Sequence, residues 1–174
     1  LSESVIKNSV HNSSILICDY NKGKKLLQFG QRSVLGNKDF RLMHRADLVK
    51  ILYRSALSNK VTFYFGYTAD AKSLSGEYSF VIAADGVHSK TRAFVNPMQS
   101  KNTRSDYFAW RSIVPNTITH HNGVRLTVAP NKHIVSYPLR GLDQLNLVLI
   151  QEAENNEIFE WGMKERPDEI KRLF

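Results

Sequence analysis

The sequence has almost none of the residues that staple a small fold or cage a metal. Its only cysteine is Cys18, so no internal disulfide can form. The setting Ile15-Leu16-Ile17-Cys18 reads as a buried apolar strand in which a free thiol packs as a small hydrophobe. Such sparing use of cysteine points to a reducing, cytoplasmic compartment. His120 and His121 are adjacent, which on a strand sends them to opposite faces, and no Cys/His spacing matches a zinc site. Long hydrophobic runs are missing too. The longest, residues 145–150, is interrupted by Asn146 and falls far short of the roughly 18 apolar residues of a membrane helix. No signal peptide is visible. Among nine glycines no two are spaced Gly-x-Gly, so these residues hold neither a dinucleotide fingerprint nor a phosphate loop. A Gly-x-Ser-x-Gly elbow is absent as well, which leaves a serine hydrolase without support.

What is present is ordinary globular material. Hydrophobic residues make up 42% and charged residues 23% of a 174-residue chain, enough for a sizeable core. At about 100–200 residues per domain, this length means one domain or two interleaved lobes. Lys and Arg outnumber Asp and Glu by 24 to 16, a net charge of +8. That balance admits an anionic partner such as nucleic acid, a membrane surface or a phosphorylated cofactor. The one dense basic cluster, Lys22-Gly23-Lys24-Lys25, sits in a turn and no aromatic-interleaved basic stripe follows it. A basic solvated surface accounts for it better than nucleic-acid binding does.

The patterning predicts strands over 14–19 and 26–29 joined by the Asn21-Lys22-Gly23 turn, then a helix over 45–58. The β-branched and aromatic run 61–65 predicts a strand, as does the apolar run 80–84 ending in Asp85-Gly86, with a short helix from Ser89. Beyond Pro97 the segments 106–114, 124–129, 133–137 and 144–151 alternate, with turns at Pro130-Asn131-Lys132 and 140–143. They predict an antiparallel sheet with one face on a core and the other lining solvent or a cavity. Residues 166–174 open a helix, with Pro167 in its first turn and Asp168 and Glu169 near its positive end. The fold class is therefore α/β (α+β): residues 1–38 and 101–174 form a β-rich lobe, interwoven with an α/β block over 39–100. A start at Leu1 without methionine and a stop at Phe174 within a helix suggest a piece of a longer chain.

Three groups of residues could carry chemistry. On a helical wheel for 45–58, Leu48, Val49, Leu52, Tyr53 and Ala56 form an apolar stripe and Asp47, Lys50 and Arg54 the opposite side. Arg45 falls inside the apolar stripe and in the first turn, where the helix dipole disfavours a cation. An anionic or polar ligand at this helix end removes both problems; a start of the true helix beyond Arg45, with its side chain reaching into water, removes them equally well. The second group is Asp85, Gly86, Ser89 and Arg92. A buried strand would deliver Asp85 to its carboxyl end, where open α/β sheets bind ligands. Gly86 permits a tight turn, and Ser89 can cap the helix that follows. The group suits a ligand with hydroxyls and a pyrophosphate, or, alternatively, an ordinary turn closed by an Asp85–Arg92 ion pair. The third is His133 and Tyr137, which share one face of a strand about 13 Å apart at 3.3 Å per residue. They could flank a small ring, one as base and one as orienting hydroxyl, or be a surface histidine and a rim tyrosine.

Taken in order, His44-Arg45-Ala46-Asp47-Leu48, residues 80–92 with the Asp-Gly-x-x-Ser-x-x-Arg motif, Ala109-Trp110-Arg111-Ser112-Ile113-Val114-Pro115, and 133–140 with 145–149 resemble the flavin-dependent aromatic hydroxylases. The resemblance is to the para-hydroxybenzoate hydroxylase fold and, within it, to the salicylate hydroxylase-like group. The resemblance runs from about residue 40 to 151, and more loosely to 174. It implies an FAD cofactor reduced by NADH or NADPH, with O2 hydroxylating a small aromatic substrate beneath an antiparallel sheet. It also implies that Arg45 contacts the FAD, that Asp85 meets its ribityl or pyrophosphate part, and that Gly86, Ser89 and Arg92 support FAD and pyridine nucleotide. His133 would orient or deprotonate a phenol-type substrate and Tyr137 would shape its pocket. The family's glycine-rich turn and its Gly-Asp segment are not among these residues, so the chain reads as the central portion of such an enzyme.

Two other readings stand beside this one. A non-catalytic fragment of the family, unable to hold FAD alone, predicts exposed apolar surface and self-association. A basic nucleic-acid-binding module would require Lys22, Lys24, Lys25, Arg104 and Arg111 to form one patch.

Overall fold

A computed structural model gives the fold, and it describes residues 1–30, 40–99, 106–118, 120–153 and 167–174. The chain divides into two compact units, Leu1–Ser55 with Asp106–Phe174, and Ala56–Ser105.

The first unit is built on a sheet. Its strands are β1 (Val10–His11), β2 (Ser14–Asp19), β3 (Lys25–Gly30), β4 (Arg41–Leu42), β5 (Tyr107–Pro115), β6 (Val124–Ala129), β7 (Lys132–Leu139) and β8 (Gln144–Glu152). Its helices are α1 (Ser2–Lys7), the start of α2 (Arg45–Ser58) and the C-terminal α5 (Pro167–Leu173). Six strands form one sheet in the order β3-β2-β6-β7-β8-β5, and β1 pairs separately with β4. Strands β6, β7 and β8 are an antiparallel meander, and β5 lies beyond β8 on the edge. β2 joins the meander by pairing parallel to β6, Ile15 with Val124 through Asp19 with Val128. Turn chemistry closes the hairpins: Gly23 and Asn131 take the left-handed conformation, at φ 61° and 57°, which glycine and asparagine adopt at least cost.

Alternation and register assign the two faces of this sheet. Ile17, Leu126, His133, Val135, Tyr137, Asn146, Val148, Arg111 and Ile113 share one face. Cys18, Arg125, Ser136, Leu145, Leu149 and Trp110 share the other. The second face is covered at the α5 end. The Phe174 ring meets Trp110 edge-on at 6.0 Å, and the Lys132 ammonium lies 5.6 Å from the Phe174 centroid. Cys18 and Leu145 are buried on that face, and Val10, Leu42 and Leu139 are the other buried apolar residues among those described. Buried Asn12 joins the small sheet to the large one: its N–H donates to the Phe40 carbonyl at 2.9 Å, and its Oδ1 accepts from Val124 N–H at 3.0 Å.

The second unit holds the end of α2, α3 (Ala71–Glu77), α4 (Thr91–Val95) and a 3-10 turn (Pro97–Gln99). The strands expected over 61–65 and 80–84 are not formed. A strand needs a neighbour for its N–H and C=O groups, and among the described residues no strand pairs with either run. Their apolar side chains accordingly face water: Phe65 is 76% exposed, Phe80 81% and Ile82 78%. Helix α3 was not expected. Asp70 caps it, its Oδ2 accepting from Ser73 N–H at 3.0 Å and from the Ser73 hydroxyl at 2.6 Å.

Candidate functional site

The Asp85–Arg92 turn is a closed hydrogen-bond circuit. The Ser89 hydroxyl donates to Asp85 Oδ1 at 2.7 Å and accepts from Arg92 N–H at 2.9 Å. Asp85 Oδ2 accepts from Thr91 N–H at 3.3 Å. The Arg92 guanidinium donates to the carbonyls of Val87 and Gly86, both at 3.2 Å. Gly86 sits at φ 77°, a conformation that any other residue would strain to adopt, and open space lies where a Cβ would project. The structure thus brings Asp85, Gly86, Ser89 and Arg92 together. The Ser89 hydroxyl, helped by the Thr91 N–H, holds the exposed Asp85 carboxyl down at about 2, so it is an anion at neutral pH. Each oxygen spends one acceptor position inside the loop and keeps others for an incoming hydroxyl. Helix α4 has only five residues and supplies no dipole of consequence for a pyrophosphate.

Arg45 is the first residue of α2 and is exposed. The sequence puzzle of a cation within an apolar stripe dissolves, because α2 buries none of its residues and Val49 is 52% exposed. The helix start is capped by His44, whose Nδ1 accepts from Ala46 N–H at 3.1 Å. Asp47, which the wheel places opposite the apolar stripe, forms a two-pronged pair with Arg140, at 3.0 Å to Nε and 3.3 Å to the terminal nitrogen. Arg140 opens a turn in which Arg140, Gly141 and Leu142 all have positive φ.

His133 and Tyr137 lie on the same face of β7, with Val135 between them. His133 pairs with Val128 and Ile150, Tyr137 with Asn146. Two polar neighbours on this face escaped the sequence reading. Asn146 Nδ2 and Gln144 Oε1 are buried without hydrogen-bond partners, and Ile113 lies across from Asn146 on β5. Their signal was the pair of polar residues two apart, Gln144 and Asn146, at the start of a strand that is apolar from Leu147 to Ile150. The face therefore combines an imidazole, a phenol and two amides with the apolar Val135, Val148 and Ile113, chemistry that can hold a flat, partly polar ring.

The basic patch does not assemble. Lys22, Lys24 and Lys25 belong to the β2–β3 end of the sheet and Arg111 to β5 at its other edge, five strand spacings or about 24 Å away. Arg104 lies outside the described residues. Among the described residues no group of three metal-ligating side chains occurs and no helix is long and apolar enough to cross a membrane.

No protein-family model matches the sequence, and no curated protein matches it either. Solved structures do. CtdE, crystallised with FAD and a substrate, aligns over 99% of this chain and 48% of its own, with a TM-score of 0.75 and 14% identity. PqsL of P. aeruginosa, described as a probable FAD-dependent monooxygenase, aligns over 87% of this chain and 46% of its own, with a TM-score of 0.66 and 16% identity. HpxO of Klebsiella pneumoniae, crystallised with FAD and uric acid, aligns over 98% and 46%, with a TM-score of 0.66 and 15% identity. The chain spans about half the length of these proteins, and over that half it has their mixed α/β fold.

Proposed function

We propose that the chain is the central portion of an FAD-dependent monooxygenase that acts on a small aromatic substrate of the salicylate or hydroxybenzoate kind, with NADH or NADPH as reductant. The observation that carries this reading is the fold shared, over 99% of the chain, with a structure holding FAD and substrate. The residues of the Asp85 turn fit the cofactor's hydroxyl-bearing part: an ionised acceptor with free lone pairs, beside a glycine whose missing Cβ leaves the backbone approachable. Asp85 would accept from a ribityl or ribose hydroxyl, while Ser89 and Arg92 keep the turn in shape. Arg45 would supply a permanent cation to an anionic part of the cofactor. Bound FAD would supply the oxygen chemistry. His133 would hold or withdraw the proton of a phenolic hydroxyl and Tyr137 would orient the ring, roles their separation on β7 allows.

Titration with FAD, followed by flavin absorbance and fluorescence, tests the reading. Micromolar binding that weakens in Asp85→Ala and Arg45→Ala is the expected result and justifies assays with NAD(P)H and phenolic acids. Absence of binding favours the second reading, a fragment unable to hold FAD alone, which the exposed Phe65, Phe80 and Ile82 support.

A further inference from the structure

The corner between β5 and β6 concentrates buried nitrogen, and among the described residues no acidic group acts on its two histidine rings. The His120 and His121 rings are 4.8 Å apart, brought side by side because they lie in a turn and not on a strand. His120 Nδ1 donates to the His121 carbonyl at 2.7 Å. That bond leaves Nε2 to accept from the buried Ser136 hydroxyl of β7 at 2.8 Å. Both ring nitrogens of His121, and Arg125 Nε on β6, are buried without partners. The same turn is knotted to the strand next door. Ser13 N–H donates to the Asn122 carbonyl at 3.1 Å, the Ser13 hydroxyl bonds to the same carbonyl, and Val124 N–H donates to Asn12. On its other side His120 N–H donates to Asn116 at 3.2 Å, and Asn116 Nδ2 donates to the Leu142 carbonyl at 2.7 Å.

We infer that the His120–His121 pair is an acid-operated latch: neutral, it seats residues 120–124 on β2 and β7; protonated, it releases them. Asn12, Ser13 and Ser14 face this corner from β2 and its approach, Asn116 from the turn, Ser136 from β7 and Arg125 from β6. Among the described residues Arg125 is the charged group that acts on both rings, and it repels a second and third cation. Burial first, then Arg125, hold the His120 ring below the ordinary imidazole value of 6.5, against the opposing pull of the His121 carbonyl. Burial, His120 and Arg125 do the same for His121, weakly opposed by the Val124 backbone. The sign follows: stability from the neutral rings is complete above 6.5 and is lost as pH falls below it through the folded-state values. Release would free the start of β6, the strand through which β2 joins the sheet.

An imidazole titration of the 174-residue chain by NMR, with hydrogen exchange at Ser13 and Val124, tests the latch. Both rings should titrate below 6.5. The protection factors at Ser13 and Val124 should fall about tenfold per pH unit in that range for each proton taken up on opening, while Val148 in the middle of β8 keeps its protection. His121→Gln removes one of the crowded cations and should move the release to lower pH. Rings that titrate at or above 6.5, or protection that survives their titration, would overturn the latch. The wild-type titration decides this even where the variant does not fold.

Discussion

Asp85 gains its low proton affinity from one short contact, so its chemistry is set by a neighbour four residues away. The Ser89 hydroxyl is the largest cause of the shift from 3.8 to about 2, ahead of the Thr91 N–H. A carboxyl whose folded value is depressed adds stability that is complete above 3.8 and fades as pH falls towards 2. Ser89→Ala should therefore raise the Asp85 value towards 3.8, read from its side-chain carboxyl shift in an NMR titration. A value still near 2 would mean that Thr91, with the Asp85 backbone, holds the charge without Ser89. At neutral pH Asp85 stays ionised in either protein, so any loss of FAD binding in Ser89→Ala would come from a slackened turn and not from lost charge. At this scale the sequence was legible where partners are close along the chain. Asp85, Ser89 and Arg92 read as one turn because all three fall within eight residues. Asp47 and Arg140 are 93 residues apart, and no local pattern signals a pair of that kind.

Elements follow the same division between local and distant information. A continuous apolar run marked β2, and period-two alternation marked β6, β7 and β8, to within a residue or two, because both patterns are intrinsic to the segment. It carried no information about partners. The parallel pairing of β2 with β6 therefore went unread, and 61–65 and 80–84 were read as strands although no strand among the described residues forms a ladder with them. Helix α3 was missed because seven residues show no apolar period; its legible signal was the Asp70-x-x-Ser73 cap. The β2–β6 junction depends on Gly123, which is buried and whose added Cβ would collide with the Ser14 carbonyl and crowd His121 Nε2 and Asn12 Oδ1. The carbonyl is backbone and cannot swing aside. Gly123→Ala should cost about 1–3 kcal/mol, the usual range for overpacking, measured as a lowered urea midpoint. An unchanged midpoint would mean that β2 moves off β6 without loss.

At the scale of the whole molecule the two units differ in how they meet water. The sheet unit encloses Cys18, Leu139 and Leu145, each no more than 4% exposed. The second unit leaves Phe65, Phe80, Ile82 and Met98 all more than 70% exposed. Covering one such side chain is worth about 1.5–3 kcal/mol, so this surface gains by meeting any apolar partner, and a second copy of the chain is the partner always at hand. The structures sharing the fold are about twice as long, so more than half of each of their chains has no counterpart here. Sedimentation velocity should therefore find the chain associating with itself as concentration rises, together with bright fluorescence from an apolar dye. The double substitution Phe80→Ser with Ile82→Ser should weaken both signals. It should leave the urea midpoint of the sheet unit unchanged, since neither residue belongs to that unit. Association that persists undiminished in the double variant would assign the contact to another surface, with the exposed Leu26, Tyr107 and Ile113 on the two edge strands next in line, where unpaired backbone groups also invite a neighbouring chain.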